Sequence, residues 1–313
     1  MTTTHPQSLP QALTERDLPP HEYQQRLAIE RPAVWRGIVA LLLLIIGLFV
    51  FSAIGGVIGT MIDLVTGRLD PTQPPAGVTP AVIGGAMAGL AMLTPWSMLL
   101  QKWFFKVPMR SLHSLRNLFR WRLLARTALI VVPLWAAFQL LSPVLMPQPT
   151  TTYPLGDVIA LIVIALTLTP LQSAGEEYAF RGLAFRIAAS WGLGPRSGLV
   201  IGIVVSSALF MIGHAALDPW LNLYYFVFGI TLAIITWRTG GIEIAVLLHA
   251  VNNVSVFLLS AIMSYDMNAG FDRSAGVASP AMLVPCAMLI LIAGVVCWRT
   301  RSGAARTAPV TRG

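Results

Sequence analysis

Long apolar runs separated by short polar segments make up most of this chain from about residue 37 onward. A membrane-spanning helix needs about 20 consecutive, mostly apolar residues, and the runs reach that length repeatedly. They predict eight spans. Seven lie at residues 37–61, 78–100, 123–146, 197–215, 220–237, 241–264 and 280–298, and the fourth in chain order starts near residue 155 and runs into the sequence SAGEEYAFRG. The predicted fold class is therefore all-α: a polytopic membrane protein of about eight transmembrane helices, bundled around a polar intramembrane cavity.

Composition supports this interpretation. Of the 313 residues, 56% are hydrophobic and only 11% are charged, whereas soluble domains average about 25% charged residues. The net charge of +8 is interpreted as the excess of Arg and Lys that cytoplasmic loops carry. Because no basic stripe is interleaved with aromatic residues, we expect no nucleic-acid partner.

The basic residues alternate between successive loops and so predict an orientation. They concentrate in the N-terminal segment, after the second, fourth and sixth spans, and after the last span. Both termini are therefore expected to be cytoplasmic, in a plasma membrane of bacterial type. No apolar run follows Met1 directly, so no cleaved signal peptide is expected.

Span boundaries and composition suggest five regions. These are a disordered tail (1–35), three spans (36–150), a core that carries the polar motifs described below (151–265), a last span (266–298) and a second disordered tail (299–313). Cys286 and Cys297 both lie in the last span, about three helical turns apart. They are interpreted as packing residues, because one helix cannot bring them within bridging distance.

Two adjacent acids stand between apolar spans in the sequence SAGEEYAFRG. Glu177 and Arg181 are i,i+4 neighbours on a helix and can form an ion pair. Glu176 points about 100° away from Glu177 and could face a different cavity. The alternative is that these charges mark the cytoplasmic end of the fourth span, where they would cost little.

Two further polar groups follow in later spans. Phe210 and His214 share a helix face, although a lone His near a span end is often an interfacial residue. His249 and Asn253 share a face inside the seventh span, where they could also be interhelical hydrogen-bond contacts. Each group alone has this structural alternative.

Together these groups supply the side chains that peptide hydrolysis requires. A carboxylate can take a proton from water, and His and Asn can donate to the oxygen of a developing oxyanion. Two His and one Glu, here His214, His249 and Glu176, are also a possible ligand set for zinc or another divalent metal. The helical HExxH motif is absent, and the sequence leaves metal dependence open.

The ordered motifs EExxxR, FxxxH and HxxxN resemble the CAAX-protease and bacteriocin-processing (CPBP, or Abi) family of intramembrane endopeptidases. Here they read EEYAFR from Glu176, FMIGH from Phe210 and HAVNN from His249. The match also includes Gly182 and the RTG lead-in that starts at Arg238. The resemblance covers about residues 155–265.

The resemblance implies an eight-helix bundle in which Glu176 and His214 activate a water molecule. It implies that His249 and Asn253 bind the oxyanion or join a metal shell, with Glu177, Arg181 and Phe210 in support. The substrate would be a membrane-associated peptide or protein, and the lipid bilayer would surround the protein as a partner.

Straight spans would place Glu176 and His214 at opposite membrane faces, which conflicts with this mechanism. A break of the fourth span at Pro170 could bring them to one depth, because proline removes a backbone donor and clashes with the preceding turn. Glu243, at the mouth of the seventh span, departs from the motifs and is interpreted as an interfacial charge or as an element of substrate entry.

Two other function classes compete with a protease. A non-catalytic immunity or scaffold protein could retain the motif residues for folding or binding. A small-molecule transporter would typically show corresponding broken spans in two halves of the chain. The functional polar clusters here all lie in the second half, which disfavours a transporter.

Overall fold

The computed structural model describes residues 18–72 and 77–301 of the chain. Within these ranges it contains eight helices long and apolar enough to cross a membrane. They are α1 (Val34–Val65), α2 (Pro80–Phe105), α3 (Trp121–Leu145), α4 (Leu155–Ala189), α5 (Pro195–Gly213), α6 (Pro219–Thr239), α7 (Glu243–Met263) and α8 (Pro280–Arg299).

Short helical turns complete the described part of the molecule. They are Tyr23–Gln25, Arg26–Ile29, Met109–Leu112 and Met267–Phe271. The described ranges contain two isolated β-bridges, Ser114 with Gly241 and Thr150 with Tyr265, and no strand. The predicted all-α polytopic bundle is therefore confirmed.

The outer surface of the bundle is apolar, as a bilayer requires. Large side chains of α1 such as Ile46, Phe49, Ile54 and Ile58 are exposed on it. In water so large an apolar surface would promote aggregation, whereas in a membrane the lipid tails cover it. The protein is accordingly an integral membrane protein.

Small residues bring α1 and α2 into backbone contact. Gly55 faces Gly85, Gly59 faces the backbone of Ala81, and Gly89 faces the carbonyl of Phe51. Helix association in lipid depends on such close packing, because lipid tails remove the hydrophobic driving force. A side chain at this crossing would force the two helices apart.

Helix α4 is the central element of the bundle and is longer than the sequence predicts. It runs as an α-helix to Glu177, continues as a π-helix over Tyr178–Ala184 and ends with Phe185–Ala189. The acids are thus followed by roughly 20 Å of buried helix, at about 1.5 Å per residue. They are buried inside the bundle, so they are not the exposed, inexpensive charges that the alternative interpretation requires.

The predicted break at Pro170 is also wrong, because this proline lies inside the continuous helix Leu155–Glu177. The irregularity of α4 occurs at the π-helix instead. A π-helix carries one extra residue per turn and so changes which side chains face the neighbours, and it occurs frequently at functional sites.

The segment before α1 packs against the bundle. Tyr23 and Leu27 are fully buried, and the Tyr23 hydroxyl donates to the Leu112 carbonyl at 2.7 Å. Burial raises the pKa of Tyr23 to about 12. The described part of the predicted tail 1–35 is thus ordered, while residues 1–17 and 302–313 lie outside the described residues.

Glu243 has a structural role that the sequence did not reveal. It is fully buried and accepts two hydrogen bonds from the Arg120 guanidinium, at 2.7 and 2.6 Å. Arg120 also donates to the Thr239 carbonyl at 2.9 Å. This bidentate pair joins the start of α7 to the start of α3 and so fixes the helix that carries His249.

We expect Gly85→Ala to destabilise the protein by about 2 kcal/mol, since an added methyl group would overlap the Gly55 backbone and overpacking costs about 1–3 kcal/mol. Thermal unfolding in detergent micelles measures the effect. Gly56→Ala is the matched control, because Gly56 faces open space. Equal melting temperatures for the two variants would contradict the close crossing.

Glu243→Gln should lower stability by about 3 kcal/mol, because removing one partner of a buried ion pair leaves the other charge uncompensated. The control is Arg122→Gln, a nearby exposed cation. Thermal unfolding of both variants in the same detergent compares them. If Glu243→Gln unfolds at the wild-type temperature, the pair does not hold α7.

Candidate active site

Side chains from α4, α5 and α7 meet in the interior of the bundle. Helix α4 contributes Glu176, Glu177 and Arg181. Helix α7 contributes His249 and Asn253, and the end of α5 contributes Phe210 and His214. Direct or shared contacts connect all seven predicted residues into one site.

Glu177 is the anchor of this site. It is fully buried, and its Oε1 lies 2.7 Å from His249 Nδ1 and 3.1 Å from Arg181 Nη1. A carboxylate only accepts hydrogen bonds, so the network assigns a proton to Nδ1 of His249. This bond joins α4 to α7 and directs the other ring nitrogen, Nε2, toward Glu176.

Glu176 has one bound and one available oxygen. Its Oε1 accepts a hydrogen bond from Gln172 Nε2 at 2.6 Å. Its Oε2 is buried, has no hydrogen-bond partner in the described part of the chain, and lies 3.7 Å from His249 Nε2. A buried carboxylate oxygen without a partner is costly, so Oε2 has hydrogen-bonding capacity that the described residues do not use.

Gln172 is the site residue that the sequence reasoning missed. Its Oε1 accepts from Asn253 Nδ2 at 3.1 Å, while its Nε2 holds Glu176. The Asn253 side-chain oxygen in turn accepts from Asn252 at 2.9 Å. The sequence could have indicated Gln172 by its spacing, because Gln172 precedes Glu176 by four residues and so lies on the same helix face.

His214 caps the end of α5 and is half-buried. Its Nδ1 lies 2.8 Å from the Phe210 carbonyl, which can only accept, so Nδ1 carries the proton and Nε2 is left as an acceptor. The imidazole ring stacks on Tyr225 with a centroid distance of 3.8 Å.

Phe210 connects the two histidines. Its ring centroid is 4.5 Å from that of His214 and 5.8 Å from that of His249. Both imidazoles therefore border the same aromatic ring, and His249, 3.7 Å from Glu176, links that ring to the acid. The short length of α5, 19 residues, and the continuation of α4 beyond the acids allow both helices to reach this ring.

Arg181 balances the acids from within the π-helix. Its guanidinium carbon lies 4.1 Å from the Phe210 ring centroid, which adds a cation–π contact to the ion pair with Glu177. Neither terminal nitrogen has a hydrogen bond to a described residue. The buried positive charge thus faces one carboxylate and two aromatic rings, the second being Phe228 at 5.8 Å.

The predicted metal ligands were Glu176, His214 and His249. Their donor types suit zinc, and each His uses Nδ1 in a second contact and so leaves Nε2 as a donor. However, no group of three or more His, Cys, Asp or Glu side chains among residues 18–72 and 77–301 is gathered to hold a metal ion. The arrangement therefore does not fit a three-ligand site.

Comparisons with known proteins identify the segment that carries this site. Residues 156–255 match the family described as Type II CAAX prenyl endopeptidase Rce1-like.

The chain is similar to the "Uncharacterized protein YyaK" of Bacillus subtilis (strain 168), at 28% identity over 162 residues, which are 49% of this chain and 52% of the relative. The chain thus spans about half the length of this curated relative. No solved structure matches it. The matched segment, residues 156–255, contains the two acids and both histidines, and the match supports the resemblance of this chain to the CPBP family.

Proposed function

We propose that this protein is an intramembrane endopeptidase that hydrolyses a peptide bond of a membrane-associated peptide or protein. The observation that carries the proposal is the pairing of Glu176 Oε2, buried and without a described hydrogen-bond partner, with His249 Nε2 at 3.7 Å. A gap of this size between two polar atoms is a place where a third polar group, such as water or a carbonyl oxygen, can bind.

In the proposed reaction Glu176 is the general base. Its Oε2 takes a proton from a water molecule, and the water oxygen attacks the carbonyl carbon of the scissile peptide bond. The carbonyl oxygen becomes an oxyanion. The proton held by Glu176 then passes to the amide nitrogen, and the C–N bond breaks to give an amine and a carboxylic acid, whose proton the amine takes up to leave a carboxylate and an ammonium group.

The histidines and Asn253 have complementary proposed roles. His214 Nε2, an acceptor, orients the attacking water together with Glu176. In the proposed step the His249 ring carries a proton on each nitrogen, so that Nδ1 stays bound to Glu177 and Nε2 donates to the oxyanion. Asn253 has one amide hydrogen beyond its bond to Gln172, and that hydrogen can donate to the same oxyanion.

Glu177, Arg181 and Phe210 support the reacting groups. Glu177 fixes the tautomer and orientation of His249, as a carboxylate behind a catalytic histidine does elsewhere. Arg181 compensates the charge of Glu177, and Phe210 packs against both histidines. No proposed step passes through a metal ion, because the described donors are not gathered as ligands.

The charges of the loops indicate how the protein is oriented in the membrane. The alternation of basic residues favours cytoplasmic termini in a plasma membrane of bacterial type. The substrate would then reach the site from the lipid or from one aqueous side of the bundle.

Glu176→Gln should abolish proteolysis, because the amide cannot accept a proton from water, and loss of a general base costs about 10²–10⁴-fold in rate. Quantitative membrane proteomics and peptidomics of native cells would compare wild type with the variant at equal protein levels. Specific precursors should accumulate in the variant, and their cleaved fragments should disappear.

Glu30→Gln is the matched control, since Glu30 forms an ion pair outside the site with Arg26. It should leave the peptide profile unchanged. If Glu176→Gln also leaves the profile unchanged while deletion of the whole protein has a phenotype, the proposed catalysis is wrong. The result would then favour the scaffold or immunity protein.

Gln172→Met should reduce kcat by about 10–100-fold with little change in KM, because Glu176 would lose the hydrogen bond that orients it, and small misplacements of reacting groups carry such costs. The assay uses purified protein in lipid nanodiscs and a substrate identified by the peptidomics. Ser173→Ala is the control, since the Ser173 hydroxyl donates to the Gln172 oxygen at 3.3 Å and does not bond Glu176. Equal loss in both variants would indicate general disruption of α4 rather than positioning of Glu176.

A further inference from the structure

A second polar site lies at the other side of the catalytic helix, between the end of α2 and the start of α3. It is a pocket of about 580 Å³, called here the basic pocket. Its lining includes the cations Lys102, Lys106 and Arg110, the ring of His113, and the apolar side chains of Met98 and Met109.

The basic pocket carries three positive charges without compensation. The side chains of Lys102, Lys106 and Arg110 are exposed, and none of them has an ion pair or hydrogen bond with a described residue. The lining contains no acidic residue. The pocket is therefore a concave surface with positive potential, which attracts anions.

His113 forms the inner wall of the basic pocket. Burial lowers the pKa of His113 below its usual value, so the ring is neutral at pH 7 and the three longer side chains carry the charge. His113 Nδ1 contacts the hydroxyl of Tyr178, which directly follows Glu177 in α4. The pocket thus contacts the π-helix of the catalytic core through one side-chain pair.

The position of the pocket indicates which anion it would meet. Its lining begins with Met98 inside the span α2 and extends to cations beyond the end of that helix. Trp103 is exposed beside it, and tryptophan is enriched where spans meet the headgroup layer. A ligand there has both lipid headgroups and the first part of the acyl chains within reach.

We propose that the basic pocket binds the phosphate-bearing headgroup of an anionic membrane phospholipid. The phosphate lies among Lys102, Lys106 and Arg110, and the glycerol end of the acyl chains packs on Met98 and Met109. Basic pockets at the cytoplasmic ends of spans recognise anionic headgroups in this way. The predicted membrane orientation explains why this loop is positively charged. It does not explain why three cations surround one partly apolar cavity.

The experiment measures retention of phosphatidylglycerol by the purified full-length protein. Native mass spectrometry counts bound lipids while phosphatidylglycerol is titrated against a phosphatidylcholine background. The test variant is K102Q/K106Q/R110Q, and the control variant is R31Q/R122Q/R196Q, which removes the same charge from three exposed cations elsewhere. The single variants K106Q and R110Q are measured in parallel, and the melting temperature of every variant is recorded.

We expect the triple variant to bind phosphatidylglycerol at least tenfold more weakly than wild type. Each single variant should bind it two- to threefold more weakly, and the control variant should bind it as wild type does. Equal binding by the test and control variants would overturn the proposal. A separate arm adds inorganic phosphate: if it displaces the bound lipid at equal concentration, the pocket is a free-phosphate site and the lipid assignment is wrong. If the triple variant does not fold, wild-type binding by both single variants overturns the proposal.

Discussion

The rest of the site depends on one buried contact, the Glu177 carboxylate between His249 and Arg181. A carboxylate removed from water is expensive unless its charge is compensated and its oxygens are hydrogen-bonded. The two partners of Glu177 meet much of that requirement, one from α7 and one from the next turn of α4. Because the contact fixes the helix pair and the His249 tautomer together, folding and site geometry cannot be separated here.

The surrounding bundle holds this contact from several directions. The Arg120–Glu243 pair fixes the start of α7. Beyond the acids, Arg186 of α4 donates to the Ser111 carbonyl at 2.6 Å and lies over the Tyr23 ring at 3.9 Å. Arg120 and Arg186 each donate hydrogen bonds from more than one guanidinium nitrogen to a different segment of the chain. These bonds restrict the sliding of one helix along another. The π-helix between these fixed points therefore keeps Arg181 in register with Glu177.

Much of this arrangement could be predicted from the sequence, and the misses have specific causes. Hydropathy located the eight spans, because lipid imposes length and composition on each. It failed for α4 beyond Glu177, since the sequence EEYAFR looks like a charged span end until the burial of Arg181 is known. Glu243 and the order of the N-terminal segment depend on partners distant in sequence, Arg120 and Leu112. Spacing alone could not identify them.

Adjacent glutamates have different environments because consecutive helical residues point about 100° apart. Glu177 faces the cation and the imidazole through Oε1, which compensates its charge, while its Oε2 has no hydrogen-bond partner among the described residues. Glu176 faces Gln172, an uncharged donor that binds one oxygen only. Had a permanently charged arginine bound Glu176, the carboxylate would be a weaker base and a permanent ion pair. A neutral amide orients it and leaves the other oxygen to the reaction, which is why the residue four positions before the acid matters as much as the arginine after it.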